Sequence, residues 1–197
     1  MKNLIGTNNP GKIDQYIRIF KKYMPELELV TLNDLNIISK TEEDADNLID
    51  NAKKKAEYYA KISDLLTIAD DTGLFIDALN GEPGLHAKRW HDGTENDRCV
   101  KILERMKDIP EEKRTCSYRG AVAVYDPEKL EFFTSETIEP GKIAFKLVEA
   151  GGFGYDSIFI ATNFNKYYSE LTNDERDSIS HRTAGIKKFA EHLKNKL

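Results

Sequence analysis

Leu65-Leu66-Thr67-Ile68-Ala69-Asp70-Asp71-Thr72-Gly73-Leu74-Phe75-Ile76 sets two apolar runs around an acidic pair. The first run reads as a strand, and Thr72-Gly73 predicts a turn before the second, because Asp and Gly are ordinary turn residues. Side chains alternate across a strand, so Asp70 and Asp71 should point to opposite faces and only one of them can easily address a given site. An acidic pair at the end of an apolar strand could hold a hard cation such as Mg²⁺ through one or two carboxylates plus substrate phosphates. A solvated strand-to-turn junction explains the same residues equally well.

Upstream, Leu4-Ile5-Gly6-Thr7 reads as a short buried strand and Asn8-Asn9-Pro10-Gly11-Lys12 as the turn after it. Ile13, Tyr16, Ile17, Phe20 and Met24 then fall on one face of a helix. Asn9 suits the N-cap and Pro10 the first helical position. Thr7, Asn9 and Lys12 therefore surround a helix N-terminus whose free N–H groups favour anions. The pattern is not the P-loop, which needs G-x-x-x-x-G-K-[ST], and capping alone also explains Asn9 and Pro10. Leu27 to Val30 predicts a second strand. Thr41 to Asp46 reads as the acidic first turn of a long helix with Leu48, Ala52, Ala56, Tyr59 and Ala60 as its buried stripe, supported by Asp50–Lys54 and Lys53–Glu57 pairs. Glu42 or Glu43 could complete a metal site with Asp71.

Downstream, Gly81-Glu82-Pro83-Gly84 predicts a loop, and Cys99, Ile102, Leu103 and Met106 an amphipathic helix. Thr115 to Tyr125 alternates as a strand, Asp126 to Lys129 turns, and a return strand follows around Glu131 to Thr137. Gly151-Gly152-Phe153-Gly154-Tyr155-Asp156 combines room for close approach with flat apolar faces and an acceptor, which suits a purine ring. A glycine-rich turn before a strand from Ser157 to Ile160 explains it too. Ser180 can cap a terminal helix whose stripe is Ile186, Phe189, Ala190, Leu193 and Leu197. His181 and Arg182 are cations where that helix's dipole disfavours them, a cost that an anion or polar ligand would offset.

The 197 residues, 40% hydrophobic and 32% charged, suit one globular domain. A formal charge of −5 argues against nonspecific nucleic-acid binding but not against a polyanionic small molecule. Cys99 and Cys116 are too few for a disulfide framework or zinc site. No stretch approaches a membrane span, and no signal-peptide core opens the chain, so a cytoplasmic address is expected. Alternation of strand and helix followed by a hairpin predicts an α/β fold: one domain over 1–197 with a mixed central sheet flanked by helices, bent into two lobes with the active site in the cleft between them.

Five landmarks in order, Thr7-Asn8-Asn9-Pro10-Gly11-Lys12, Ala69-Asp70-Asp71-Thr72-Gly73-Leu74, Gly81-Glu82-Pro83-Gly84, Gly152-Phe153-Gly154-Tyr155-Asp156 and Ser180-His181-Arg182, resemble the inosine triphosphate pyrophosphatase family. The resemblance implies Mg²⁺-dependent hydrolysis of noncanonical purine nucleoside triphosphates (ITP, dITP, XTP) to monophosphate and pyrophosphate, by a cytoplasmic homodimer. It places the triphosphate on Thr7, Asn9 and Lys12, the general base and a metal ligand on Asp71, Thr72 at the substrate, and a second metal ligand on Glu42, with Glu43 its rival. It places the base on Phe153, Gly154, Tyr155, Asp156, Ser180, His181 and Arg182. Arg176 stands where the family usually has lysine, Ser157 where it often has proline, Thr41-Glu42-Glu43-Asp44 where it has Glu-Glu-Thr-Gly, and His86-Ala87-Lys88-Arg89 where Tyr-Ser-Ala-Arg is frequent. A phosphatase with an aspartate nucleophile is disfavoured because the D-x-D spacing is missing. A noncatalytic purine nucleotide sensor would use the same pocket.

Overall fold

The computed structural model describes residues 2–148 and 153–195, so Gly151, Gly152 and Leu197 lie outside the described residues. Its strands are β1 (Lys2–Ile5), β2 (Glu28–Thr31), β3 (Leu66–Ile76), β4 (Pro83–Gly84), β5 (Thr115–Asp126), β6 (Glu131–Ile143), β7 (Phe159–Ala161) and β8 (Lys166–Tyr167). Its α-helices are α1 (Pro10–Tyr23), α2 (Leu48–Ser63), α3 (Glu95–Arg105), α4 (Asn173–Ile179) and α5 (His181–Asn195). The eight strands form one sheet in the order β2-β1-β3-β5-β6-β7-β8, with β4 paired to β3 off that path. β1 runs parallel to β2 and β3, whereas β4 is antiparallel to β3 and β7 to both β6 and β8. This is the mixed α/β sheet that the alternating pattern predicts.

The chain falls into two compact units, Met1–Asp71 with Gly120–Thr137 and Ile179–Leu197, and Thr72–Arg119 with Ile138–Ser178. In the first unit, neighbouring residues of β1 serve opposite cores. Ile5 joins Tyr16, Ile19, Phe20, Ile68, Val122, Val124, Ile186 and Phe189 beneath α1 and α5. Leu4 joins Val30, Leu32, Ile37 and Tyr59 beneath α2. Burial of such side chains contributes about 1.5–3 kcal/mol each, so this alternation locks the register of β1.

Several local expectations need correction. β3 does not turn at Thr72-Gly73 but runs unbroken from Leu66 to Ile76. Gly73 is there for proximity: a Cβ on it would lie 2.5 Å from the Gly84 carbonyl oxygen and 2.8 Å from the Phe75 ring. Leu74 pairs with Gly84 across this contact, and sheet hydrogen bonding overrides the turn propensity.

α2 is capped by Asn47, whose Oδ1 accepts from Asp50 N at 2.8 Å, so Thr41 to Asp46 precede the helix. Asp44 pairs with Lys54, Asp50 with Lys53 at 3.8 Å and Glu57 with Lys61 at 2.6 Å, which replaces the expected pairs.

β6 continues past Thr137 to Ile143 despite Pro140 and Gly141, and β7 starts at Phe159 because Tyr155 to Phe159 closes a turn, with Phe159 N donating to Tyr155 O at 3.1 Å. α4 was not anticipated. It buries none of its side chains and so has no apolar stripe to read.

Candidate active site

Asn9 has extended φ and ψ of −77° and 116°, and its side chain accepts from Lys12 N, which starts α1 where the sequence predicts. Thr7 Oγ1 accepts from Asn9 N at 3.2 Å and fixes the preceding turn. The polar end of this helix thus presents Lys12, whose Nζ donates to Asp70 Oδ2 at 2.8 Å.

Asp70 gathers more than Lys12. Arg182 Nη2 donates to Asp70 Oδ2 at 2.7 Å, His181 Nε2 lies 3.5 Å from the same oxygen, and Arg182 Nη1 donates to Gln15 Oε1 at 2.9 Å. Asp70 is 2% exposed and Arg182 4%. Burial pushes the Asp70 carboxyl up, yet Arg182, Lys12 and His181 together outweigh it and hold the group well below the usual carboxylate range. Burial, followed by the Arg182 charge, pushes His181 down to about 4 against the pull of Asp70, so its ring is neutral near pH 7. Ser180 caps α5, accepting from Arg182 N at 3.2 Å. The anion that offsets the Arg182 charge at this helix start is therefore the protein's own Asp70, and His181 avoids the cost by staying neutral.

His181 also rests against bare backbone. A Cβ on Gly120 of β5 would meet the His181 ring at 2.2 Å, so only glycine lets the imidazole occupy this position.

Asp71 faces a different set of groups, as strand alternation requires. Asn51 Nδ2 donates to Asp71 Oδ2 at 3.0 Å, and Lys55 Nζ lies 3.2 Å from Asp71 Oδ1 and 2.7 Å from Glu43 Oε1. Asn51 Oδ1 in turn accepts from Ala45 N at 3.0 Å, tying down the loop that carries Glu43. Burial pushes the Lys55 ammonium down, but Asp71 and Glu43 more than offset it and the net shift is upward. Glu42 is exposed, so of the two sequence candidates it is Glu43 that converges with Asp71.

Asn51 and Lys55 escaped the sequence reading. Their trace is a four-residue polar spacing on the inner face of α2, among Leu48, Ala52, Ala56 and Tyr59.

Within the second unit, Thr72 is half-buried, next in β3 after Asp71. Phe153 and Gly154 are partly exposed, and Gly154, at φ +69°, has open space where a Cβ would stand. Tyr155 and Asp156 turn inward: the Tyr155 hydroxyl donates to Ala87 O at 2.6 Å, and Asp156 accepts from Phe153 N at 3.1 Å and from the Tyr118 hydroxyl at 3.2 Å. Arg176 Nη1 lies 3.5 Å from Asp156 Oδ2, while its Nη2 donates to Tyr168 O at 3.0 Å. Tyr155 and Asp156 thus brace the segment that presents Phe153 and Gly154. Tyr118, a brace from β5, left no mark in the sequence beyond strand alternation.

Among the described residues no three His, Cys, Asp or Glu side chains cluster as a metal cage. Glu43 and Asp71 nonetheless bracket a cation already, the Lys55 ammonium. Two carboxylates are a hard oxygen donor set that fits a divalent ion completing its shell with substrate phosphates and water.

The sequence profile of the Ham1 family matches residues 4–192. The chain is 34% identical to the dITP/XTP pyrophosphatase of Thermoanaerobacter sp. (strain X514), covering 100% of this chain and 98% of that one. It is 36% identical to the dITP/XTP pyrophosphatase of Listeria monocytogenes serotype 4b (strain F2365), covering 98% and 94%. Among solved structures, the Ham1 protein of Staphylococcus aureus superposes with a TM-score of 0.85 at 28% identity over 100% of both chains. The nucleoside-triphosphatase / dITP/XTP pyrophosphatase of Mycobacterium abscessus gives 0.74 at 34% identity over 96% and 98%. No helix among the described residues is long and apolar enough to cross a membrane.

Proposed function

The chain belongs to the Ham1 family, and from that premise we propose that it hydrolyses the noncanonical purine nucleoside triphosphates ITP, dITP and XTP to their monophosphates and pyrophosphate. The observation that carries this reading is the division of labour at the adjacent aspartates. Asp70 assembles Lys12 and Arg182 on one face of β3, and Asp71 meets Glu43, Asn51 and Lys55 on the other.

Lys12, Thr7 and the N–H groups at the start of α1 bind the triphosphate and stabilise the negative charge that develops on the leaving pyrophosphate. Asp71 orients a water molecule and accepts its proton as the water oxygen bonds to the α-phosphorus. The bond from that phosphorus to the bridging oxygen breaks, and pyrophosphate carries the electron pair away. Glu43 and Asp71 would hold Mg²⁺, which when bound neutralises phosphate charge and polarises a phosphoryl oxygen.

Phe153 stacks on the purine without distinguishing one base from another. Arg182, which has donors only, suits the 6-oxo edge of hypoxanthine and xanthine and opposes the 6-amino group of adenine. The protein acts as a cytoplasmic homodimer in this reading.

Phosphorus NMR of ITP and Mg²⁺ incubated with the protein tests it. Pyrophosphate with IMP is expected. Orthophosphate with IDP would indicate a different hydrolase, and unchanged ITP a sensor.

A further inference from the structure

Lys55 occupies the space between the two carboxylates assigned to the metal. Its side chain is 9% exposed, with Nζ 2.7 Å from Glu43 Oε1 and 3.2 Å from Asp71 Oδ1. The bracket is braced independently: Asn51 holds the other oxygen of Asp71 and, through Ala45 N, the loop bearing Glu43. An ammonium is a compact point charge on a flexible stem, so it can fill such a bracket and also leave it.

Charge balance decides which cation belongs there at each stage. With Lys55 in place the pair carries a net −1. A divalent ion would neutralise the pair but leave a displaced ammonium without an anion, unless a triphosphate arrives with the metal. We propose that Lys55 is the resident cation of the Glu43–Asp71 pair in the nucleotide-free protein, and that it yields both carboxylates to the metal–nucleotide complex and moves to a phosphate oxygen. Metal and nucleotide then bind cooperatively, each strengthening the other by the same factor. This inference rests on the proposed function for its second half only.

Calorimetric titration with Mg²⁺ alone tests the first half. Each charge-assisted hydrogen bond that must be broken weakens metal binding, so Lys55→Gln should bind Mg²⁺ about tenfold more tightly than the wild type. Unchanged affinity would overturn the resident-cation assignment. Titration with an α,β-imido analogue of ITP in saturating Mg²⁺ tests the second half, with the variant expected to bind about tenfold more weakly. Equal affinity would overturn the transfer to phosphate. Absence of analogue binding by the wild type would instead refute the proposed function and leave the metal result standing. Thermal melting checks that Lys55→Gln folds, and Lys55→Met, whose unbranched chain fills the same space, carries the same two expectations if it does not.

Discussion

Asp70→Asn keeps the size of a buried side chain and removes its charge. In the native protein one oxygen of that 2% exposed residue meets Lys12 Nζ at 2.8 Å and Arg182 Nη2 at 2.7 Å, with His181 Nε2 at 3.5 Å. The variant leaves both cations facing a neutral amide whose NH₂ can only add another donor. Breaking one member of a buried pair costs roughly 3–5 kcal/mol, because an uncompensated charge stays behind. Lys12 relieves part of this, since burial has already pushed its pKa down and it can shed its proton, so the lower end, about 3 kcal/mol, applies. For a chain of this length each kcal/mol moves the melting midpoint by roughly 2–4 °C, so a fall of about 6–12 °C is expected at pH 7. Calorimetry together with urea unfolding measures it, and Asp71→Asn is the control. That variant should lose turnover yet lose less than half as much stability, because Lys55 keeps Glu43 as a partner. A loss below about 1 kcal/mol for Asp70→Asn would refute the reasoning, since it would mean that the buried charges need no counter-ion.

Acid should weaken the fold through His181. Its folded pKa is depressed from 6.5 to about 4, so between those values the unfolded chain takes up a proton that the folded one refuses, and stability falls with falling pH by up to about 3 kcal/mol. His181→Asn should flatten that window in pH-dependent urea unfolding, and a slope identical to the wild type's would discount the residue. Lys12→Ala should lose on the order of 10²-fold in kcat/KM, equally for ITP and XTP, because it addresses phosphates common to both. A strong dependence on the base would move Lys12 to the purine. Gly120→Ala should fold at a cost of about 1–3 kcal/mol and displace the imidazole it would otherwise overlap. Unchanged His181 ring resonances in that variant would show that the contact does not hold the ring.

What could be read in advance was whatever leaves a local pattern. Asn9 and Pro10 announce α1 because capping is a one-turn affair, and Ile186, Phe189 and Leu193 announce α5 because a buried stripe repeats along one helix face. The opposite allegiances of Asp70 and Asp71 follow from strand alternation alone. Features created by distant partners were hidden. Thr72-Gly73 has turn composition, and it is the pairing of β3 with other strands, the one at Pro83–Gly84 among them, that keeps it extended. Thr41 to Asp46 is acidic enough to resemble a first helical turn, but Asn47, whose side chain accepts from Asp50 N, is the residue that starts the helix. Lys55 reads as one lysine among three until Glu43 and Asp71 are seen on either side of it.

The contact at Gly73 bears on how this chain can drift over evolutionary time. A side chain there would strike the Gly84 carbonyl at 2.5 Å, and no change at another residue can trim a backbone oxygen to make room. Asp71, two positions earlier in the same short motif, answers to chemistry in the proposed function, whereas Gly73 answers to the distance between two strands. A descendant that abandoned hydrolysis would be released from the first demand and remain under the second. In such a lineage the aspartate would be free to decay while the glycine persisted, so the two ends of one short motif would part company.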